Sequence, residues 1–306
     1  MKISVIGAGN VGSLAAMRIA QEKLGNVVLI DVLKGVAQGK AIDLEDAQVL
    51  LNSDYSITGS DDIAEIKDSD IVVVTAGLAR KPGMTREELL LKNSEILKNI
   101  CNNIKNYASN AIVIIVTNPL DLMTYLALKL TGFKKQKVFG MGISLDAARF
   151  ANLISKEVGV LATDVDACVI GSHGEGMIPL AEFSKIKGEK IEKRLSQEKI
   201  EELLKRTVNR GAEIVSLLGS GSAFFAPSAA IAQLVKNIVQ DQKKVVGVCA
   251  WLSGEYGIND VCTGVPARIG RSGIEKIVEF KLSEKDQNLL IKSADSIRGL
   301  AKQLPL

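Results

Sequence analysis

The stretch Gly7-Ala8-Gly9-Asn10-Val11-Gly12 decides how the fold of this chain is interpreted. It follows a short apolar run, residues 2–6, and precedes a segment whose apolar residues recur at helical spacing. A strand, a G-x-G-x-x-G turn and a helix in this order predict a dinucleotide site. The glycines let a pyrophosphate approach the backbone, and the helix N-terminus supplies N–H donors.

A second predicted strand, residues 27–30, ends at Asp31, which lies about 20 residues beyond Gly12. A carboxylate at this place can bind the adenosine ribose hydroxyls and would repel a 2′-phosphate. No arginine follows it directly. We therefore expect NAD as cofactor, not NADP. The alternative, a merely tight strand-to-helix turn, is disfavoured by this context.

Alternating strands and helices continue through the first half of the chain. Residues 71–74 and 111–116 are apolar throughout, as is typical of parallel strands buried on both faces, and another strand is expected at 55–58. Helices are expected at about 35–51 and at 86–107, the second with a capping box formed by Thr85 and Glu88.

The regular alternation ends past about residue 160. Strands are expected at 164–170, 177–183, 245–251 and 261–269, and helices at about 198–217, 228–239 and from 284 onward. The fold class is therefore α/β: an N-terminal Rossmann domain with a doubly wound parallel sheet, residues 1–143, is followed by an α+β substrate and catalytic domain, residues 144–306.

Composition excludes several classes of protein. The 306 residues are 47% hydrophobic and 24% charged, which is ordinary for a globular protein of about two domains. A net charge of +3 without a basic run gives no support for nucleic-acid binding. No apolar run suggests a signal peptide or membrane span. The four cysteines form no CxxC pair, so we expect neither a metal site nor disulfides, and a reducing cytoplasm.

The only histidine, His173, stands in the glycine-rich stretch Gly171–Met177. Histidine is the usual proton shuttle near neutral pH. Two interpretations remain open from this stretch alone: a catalytic base, or a packed histidine in a turn.

Other candidates are equally ambiguous when taken singly. A loop after residues 71–75 carries Arg80, Lys81 and Arg86, which can close over an anionic ligand or can simply be solvated. Asn118 follows a strand and precedes a proline, so its amide can bind a ligand or stabilise a turn. Asp146 and Arg149 share one face of a helix that Ser144 is expected to cap, and alone they indicate an ordinary ion pair.

The pattern Tyr125-x-x-x-Lys129 also matches the acid/base pair of short-chain dehydrogenases. That family needs three residues between the first two glycines of its turn, and GAGNVG has one. We therefore place Tyr125 on the packed or partly exposed side of an amphipathic helix.

Taken together, these motifs resemble the lactate/malate dehydrogenase family over essentially the full length. The shared motifs, in family order, are GAGNVG with Asp31, TAGLARKPGMTR, KNSEI, VTNPLD, SLDAARF and GSHGEGM. The loop ARKPGMTR resembles that of the malate-specific members.

The resemblance implies hydride transfer between NAD and a small dicarboxylate, malate or oxaloacetate. His173 would exchange the hydroxyl proton, with Asp146 orienting its ring. The implied substrate ligands are Arg80 for the distal carboxylate, Arg86 for the reacting carbonyl, Asn118, and Arg149 for the α-carboxylate. The implied NAD-binding residues are Gly7, Ala8, Gly9, Asn10, Val11, Gly12, Asp31, Thr75, Ala76, Gly77, Asn93, Val116, Thr117 and Asn118. The family uses no catalytic metal, and its members are usually homodimers or homotetramers.

Three alternatives stay open. Lactate or another 2-hydroxy acid could be the substrate, but a methyl group would leave the Arg80 guanidinium unpaired, a cost on the order of a thousandfold in discrimination. A non-catalytic NAD sensor could keep GAGNVG but would not need His173, Asp146 and Arg149 together. An NAD-dependent glycosidase would need a metal held by Cys and His, and the single histidine already has another role.

Overall fold

The computed structural model describes residues 1–78, 85–219 and 221–304. The strands of the N-terminal half are β1 (Lys2–Ile6), β2 (Asn26–Ile30), β3 (Ile57–Ser60), β4 (Ile71–Val74), β5 (Ile112–Ile115) and β6 (Val138–Gly140). The helices between them are α1 (Asn10–Gln21), α2 (Val36–Leu50), α3 (Arg86–Tyr107) and α4 (Leu120–Thr131).

These strands pair in parallel in the order β3-β2-β1-β4-β5-β6. Strands β4 and β5 are buried along their whole length, which explains why their sequences are apolar throughout. The strand order reverses between β1 and β4. Ligands of such sheets bind outside the carboxyl ends of the strands at this reversal, here next to Gly7 and Thr75.

The C-terminal half adds helices to a largely antiparallel group of strands. The strands are β7 (Val165–Gly171), β8 (Met177–Ile186), β9 (Glu189–Lys190), β10 (Lys244–Ser253), β11 (Asn259–Gly270) and β12 (Gly273–Ile277). The helices are α5 (Ile143–Val158), α6 (Gln197–Leu218), α7 (Phe225–Val239) and α8 (Glu284–Ala301).

One continuous sheet joins the two halves. Strand β10 pairs antiparallel with β6, where Cys249 lies opposite Gly140, and β11 pairs with β7, where Gly264 lies opposite Gly171. The larger hydrophobic core spans both halves, whereas a smaller one lies among α5, α6, β7 and β8. The turn after β7 is thereby fixed relative to the parallel sheet.

The α/β fold class is confirmed, and so is the capping box of α3. The Thr85 backbone N–H donates to Glu88 Oε2 at 2.9 Å, and the Glu88 N–H donates to Thr85 Oγ1 at 3.1 Å. The helix cap predicted at Ser144 is wrong. Helix α5 begins at Ile143 with Gly142 at its cap, because the Asp146 N–H already bonds the Gly142 carbonyl at 3.0 Å.

Some strand predictions also need correction. The strand expected at 55–58 begins only at Ile57, because Tyr55 is tied to α2: its N–H donates to Gln48 Oε1 and its hydroxyl donates to the Leu44 carbonyl. Strands β6, β9 and β12 were not predicted. All three are short, and β9 and β12 each only extend a hairpin. Within the described ranges, no helix is both long and apolar enough to cross a membrane.

Gly12 sits where α1 crosses the end of β1. A Cβ at this position would lie 1.8 Å from the Gly7 carbonyl oxygen and 2.6 Å from Thr75 Oγ1. We therefore expect Gly12→Ala to lower the free energy of unfolding by about 3 kcal/mol, because backbone atoms cannot move aside cheaply. Thermal and urea unfolding measure this loss.

Gly39→Ala is the matched control, since Gly39 also lies inside a helix but has open space at its Cβ. It should raise stability slightly, by about 0.5–1 kcal/mol. If Gly12→Ala and Gly39→Ala unfold with equal thermal and urea midpoints, the close packing of α1 on β1 is contradicted.

Candidate active site

The turn between β7 and β8 carries His173 and is held from two helices. On α8, Ser293 Oγ accepts a hydrogen bond from the Ser172 N–H at 3.0 Å and donates to the Gly176 carbonyl at 3.1 Å. On α4, Asp121 Oδ2 accepts from the His173 N–H at 2.9 Å. The backbone of the turn is therefore fixed on both sides of the histidine.

Asp146, in the first turn of α5, brings the three residues of the predicted centre together. Its side chain is fully buried; Oδ2 lies 2.7 Å from His173 Nδ1, and Oδ1 lies 3.0 Å from Arg149 Nη1. A carboxylate accepts a hydrogen bond from Nδ1–H, so the neutral ring carries its proton on Nδ1 and keeps its lone pair on Nε2. That nitrogen is then available to exchange a proton with a ligand.

The surroundings of His173 act on its pKa in opposite directions. Burial lowers the pKa, but the charge of Asp146, its hydrogen bond and the charge of Asp121 raise it, and Arg149 lowers it in turn. The net result is a pKa above the ordinary value for histidine. The site therefore favours the imidazolium, which is the form that can donate a proton.

Arg149 keeps donors that the described protein does not use. Its side chain is 12% exposed, and its Nε is buried without a hydrogen-bond partner in the described part of the chain. Gly211 of α6 lies beside the guanidinium, where a Cβ would come within 3.5 Å of Nη1. Such a guanidinium suits a bidentate carboxylate ligand.

The glycine turn fits a dinucleotide pyrophosphate. Gly7 has a φ of +106°, and a Cβ there would lie 2.6 Å from the Ala76 nitrogen, whereas nothing lies within 4 Å of a Cβ at Gly9. Gly9 caps α1 without a side-chain hydrogen bond. Asn10 and Val11 open the helix, so their N–H groups face an open cradle that suits phosphate.

Asp31 lies at the end of β2 beside this turn. Its Oδ2 accepts from the Ala8 N–H at 2.7 Å, and its Oδ1 accepts from the Leu33 N–H at 3.0 Å. The residue is half-buried, and its carboxylate braces the turn.

The remaining predicted cofactor residues lie at the carboxyl ends of β4 and β5. Thr75 Oγ1 donates to the Gly7 carbonyl at 3.0 Å, and Thr117 Oγ1 donates to the Ala76 carbonyl at 2.7 Å. These hydroxyls therefore brace neighbouring strand ends. A Cβ at Gly77 would lie 2.5 Å from Thr117 Cγ2, which shows how closely the strand ends pack.

Asn93 of α3 ties the loops after these strands together. Its buried Nδ2 donates to the Asn118 carbonyl at 2.7 Å, and its Oδ1 accepts from the Leu78 N–H at 2.8 Å. Val116 is half-buried next to this bridge, and the exposed Asn118 side chain lines the same cavity as His173, of about 1270 Å³. Asn118 thus lies between His173 and the carboxyl ends of β4 and β5, which we call the cofactor edge.

Two predicted substrate residues are not placed. Arg80 lies outside the described residues, and Arg86 begins α3 but its side chain lies outside the description. Among the described residues, no group of His, Cys, Asp or Glu side chains is arranged to hold a metal ion.

Tyr125 stacks on Trp251 with ring centroids 5.6 Å apart, and Lys129 Nζ lies 4.5 Å from the Trp251 ring centre, which agrees with a packing role.

Sequence reasoning missed two charged residues at the site. Asp121 is 3% exposed and accepts a hydrogen bond from the His173 backbone. The available signal was an aspartate among the mostly apolar residues that begin α4. Lys40 of α2 donates from Nζ to the Ala8 carbonyl at 2.6 Å and braces the glycine turn. No sequence signal singled out Lys40.

Known proteins share both the sequence and the fold. Residues 1–140 match the NAD binding domain of the lactate/malate dehydrogenases, and residues 143–303 match their alpha/beta C-terminal domain. The chain belongs to the lactate/malate dehydrogenase family. The family resemblance inferred from the motifs is confirmed, and with it an NAD-dependent oxidoreductase.

Individual relatives of the family span the whole chain. A malate dehydrogenase of Methanosarcina barkeri is 48% identical over 305 residues, covering 100% of this chain and 99% of that protein. The structure of Cryptosporidium parvum malate dehydrogenase is 40% identical with a TM-score of 0.95, covering 99% of this chain and 98% of that one. A lactate dehydrogenase of the same organism, complexed with lactic acid and NAD, is 37% identical with a TM-score of 0.95, at 99% and 97% coverage.

The predicted role of Asp31 in the choice between NAD and NADP can be tested by substitution. We expect Asp31→Ser to weaken NADH binding about tenfold or more, because a charged acceptor for the ribose and the brace on Ala8 are lost together. The preference for NADH over NADPH should narrow, since the repulsion of the 2′-phosphate disappears. Fluorescence titration with each cofactor measures both effects.

Asp61→Ser serves as control, because Asp61 is an exposed carboxylate at the next strand end, hydrogen-bonded to Gln38. Its NADH affinity should match that of the unmodified protein. If the ratio of the affinities for NADH and NADPH is the same in Asp31→Ser as in the unmodified protein, this carboxylate does not select the cofactor.

Proposed function

We propose that this protein catalyses reversible hydride transfer between (S)-malate and NAD+, giving oxaloacetate and NADH. The observation that carries the proposal is the buried Asp146 carboxylate, which bonds His173 Nδ1 at 2.7 Å and Arg149 Nη1 at 3.0 Å. This cluster offers a proton-transfer group beside a cation for a carboxylate. Those are the two groups that oxidation of a hydroxy acid requires from the protein.

His173 would accept the hydroxyl proton of malate on Nε2 and return it to oxaloacetate in the reverse direction. Asp146 would hold the ring orientation and stabilise the imidazolium while the proton resides there. The raised pKa of His173 supports this role, because the aspartates around the ring stabilise the imidazolium that forms when the proton is taken up.

The substrate carboxylates would meet guanidinium groups. Arg149, with its unpaired Nε, would bind the α-carboxylate bidentately. We assign Arg80 to the distal carboxylate, Arg86 to the reacting carbonyl and Asn118 to a further hydrogen bond, from the motif that contains each. The Asn118 side chain lines the His173 cavity, which supports its part of the assignment.

NAD would lie along the carboxyl ends of β1, β2, β4 and β5, and when bound it supplies the hydride acceptor. We propose that Gly7–Gly12 hold its pyrophosphate, Asp31 its adenosine ribose, and Thr75–Gly77, Asn93 and Val116–Asn118 its nicotinamide half. Residues 1–143 would then form the NAD-binding domain and residues 144–306 the catalytic domain. The reaction would take place where they meet.

Malate is preferred over lactate as substrate on sequence grounds. The relatives named malate dehydrogenase are up to 48% identical over the full chain, and the TAGLARKPGMTR loop supplies an arginine for a second carboxylate. The fold does not discriminate, because malate and lactate dehydrogenase structures match with the same TM-score of 0.95. We further propose a cytoplasmic location and a homodimer or homotetramer.

Substrate choice is tested by following NADH oxidation with oxaloacetate and with pyruvate. We expect a catalytic efficiency about a thousandfold higher with oxaloacetate, because pyruvate would leave the Arg80 guanidinium desolvated and unpaired. Arg80→Gln should lower the efficiency with oxaloacetate and raise it with pyruvate. Equal efficiencies on the two acids in the unmodified enzyme would refute the malate assignment.

His173→Asn is expected to reduce turnover to background while NADH still binds, because the proton-transfer group is lost and the glycine turn is untouched. Stopped-flow or steady-state assays report turnover, and fluorescence titration reports NADH binding. Substantial remaining turnover would exclude His173 from the reaction. A protein that binds NADH but turns over no 2-oxo acid even with His173 in place would instead be an NAD sensor.

A further inference from the structure

Asp121 is a buried carboxylate that lies behind His173. It lies in the first turn of α4, directly after the Asn118-Pro119 segment, and is 3% exposed. Its Oδ2 accepts the His173 backbone N–H at 2.9 Å. The histidine is thus held by two aspartates: Asp121 at its backbone and Asp146 at its ring.

The negative charge of the Asp121 carboxylate has few hydrogen-bond partners, although the group is buried. Its Oδ1 is buried and accepts no regular hydrogen bond from the described part of the chain, and the Cys249 thiol of β10 offers only a weak donor. Burial raises the pKa of Asp121 to about 6, opposed by the Cys249 thiol and by His173. A buried, under-bonded charge is costly unless an opposite charge forms beside it.

We propose that Asp121 is a positioning residue for the reaction: it fixes the backbone of His173 and places a second buried negative charge against the histidine. The charge that offsets it is the imidazolium that forms when His173 takes up a proton. Asp121 would therefore stabilise the protonated enzyme, in addition to holding the turn.

Among the side chains that the structure describes, three charged groups act on the His173 imidazole: Asp121 from α4, and Asp146 and Arg149 from α5. The other described charged side chains around the cavity belong to α3, the turn itself, α6 and α8 and are exposed or half-exposed: Glu87, Glu175, Glu201, Lys205, Lys285, Asp286 and Lys292. Water and salt screen these groups far more than the buried aspartates. Cys249 of β10 faces Asp121 and not the ring.

The single histidine makes a direct test possible, because labelled histidine in a tag-free chain gives one imidazole signal. Asp121→Asn keeps an oxygen for the His173 N–H but removes the charge. We expect the NMR titration midpoint of His173 in Asp121→Asn to fall by about half to one pH unit, since an anion that favours the imidazolium is gone.

Ser293→Ala is the matched control. It removes an anchor of the same turn, at Ser172 and Gly176, but leaves both aspartates charged. Its His173 midpoint should stay at the value of the unmodified protein even if turnover falls. An equal shift in Ser293→Ala, or no shift in Asp121→Asn, would overturn the proposal.

The kinetic arm rests on the proposed function, whereas the NMR arm does not. Oxaloacetate reduction needs protonated His173, so the rate of reduction should fall off at a lower alkaline pH in Asp121→Asn than in the unmodified enzyme. Malate oxidation needs neutral His173, so the rate of oxidation should persist to a lower acidic pH in Asp121→Asn. A protein inactive on both acids would refute the proposed function and leave the NMR result to decide the role of Asp121.

Should Asp121→Asn fail to fold, Asp121→Ser takes its place, because it also removes the charge and keeps a side-chain oxygen near the His173 N–H. We expect the same fall of the His173 midpoint in Asp121→Ser. A midpoint equal to that of the unmodified protein would overturn the proposal.

Discussion

The buried Asp146 carboxylate is the constraint on which the site depends. A carboxylate removed from water must be paired and hydrogen-bonded, and loss of one partner leaves a costly uncompensated charge. Asp146 meets this requirement with the His173 ring on one oxygen and the Arg149 guanidinium on the other. The same pairing that satisfies the charge also sets the ring orientation and the place of the guanidinium, so the requirements of folding and of the proposed chemistry coincide.

That pairing is possible only because two separate parts of the chain meet. Helix α5 begins directly after β6, at the edge of the parallel sheet, whereas His173 follows β7. Strands β10 and β11 lie between β6 and β7 in the sheet, and this pairing places the histidine turn near the edge of the parallel strands. A Cβ at Gly142 would come within 2.8 Å of His173 Cγ, so the histidine rests against the end of β6. The Asn93 bridge to Asn118 then links this region to the cofactor edge.

The first half of the fold could be predicted because its pattern is local. Glycines at positions 7, 9 and 12, apolar strands and the capping box at Thr85 each specify their element within a few residues. The errors occurred where hydrogen bonds that the apolar pattern does not reveal set an element boundary. Strand β3 begins after Tyr55, because the Tyr55 hydroxyl donates a hydrogen bond to the Leu44 carbonyl of α2. Helix α5 begins before Ser144, because the Asp146 N–H donates to the Gly142 carbonyl. Short strands such as β12 depend on the neighbouring strand for their existence.

The sequence by itself determined the dinucleotide turn, the acid at Asp31, the family and the candidates for proton transfer, because these rest on residue type and spacing along the chain. Tertiary structure alone decided that His173 bonds Asp146, that Thr75, Thr117 and Asn93 brace strand ends, and that Asp121 lies behind the histidine. Each of these contacts joins residues from different elements, and no local pattern encodes such distances. Burial of a charge, likewise, is a property of the packed neighbours and not of the residue that carries it.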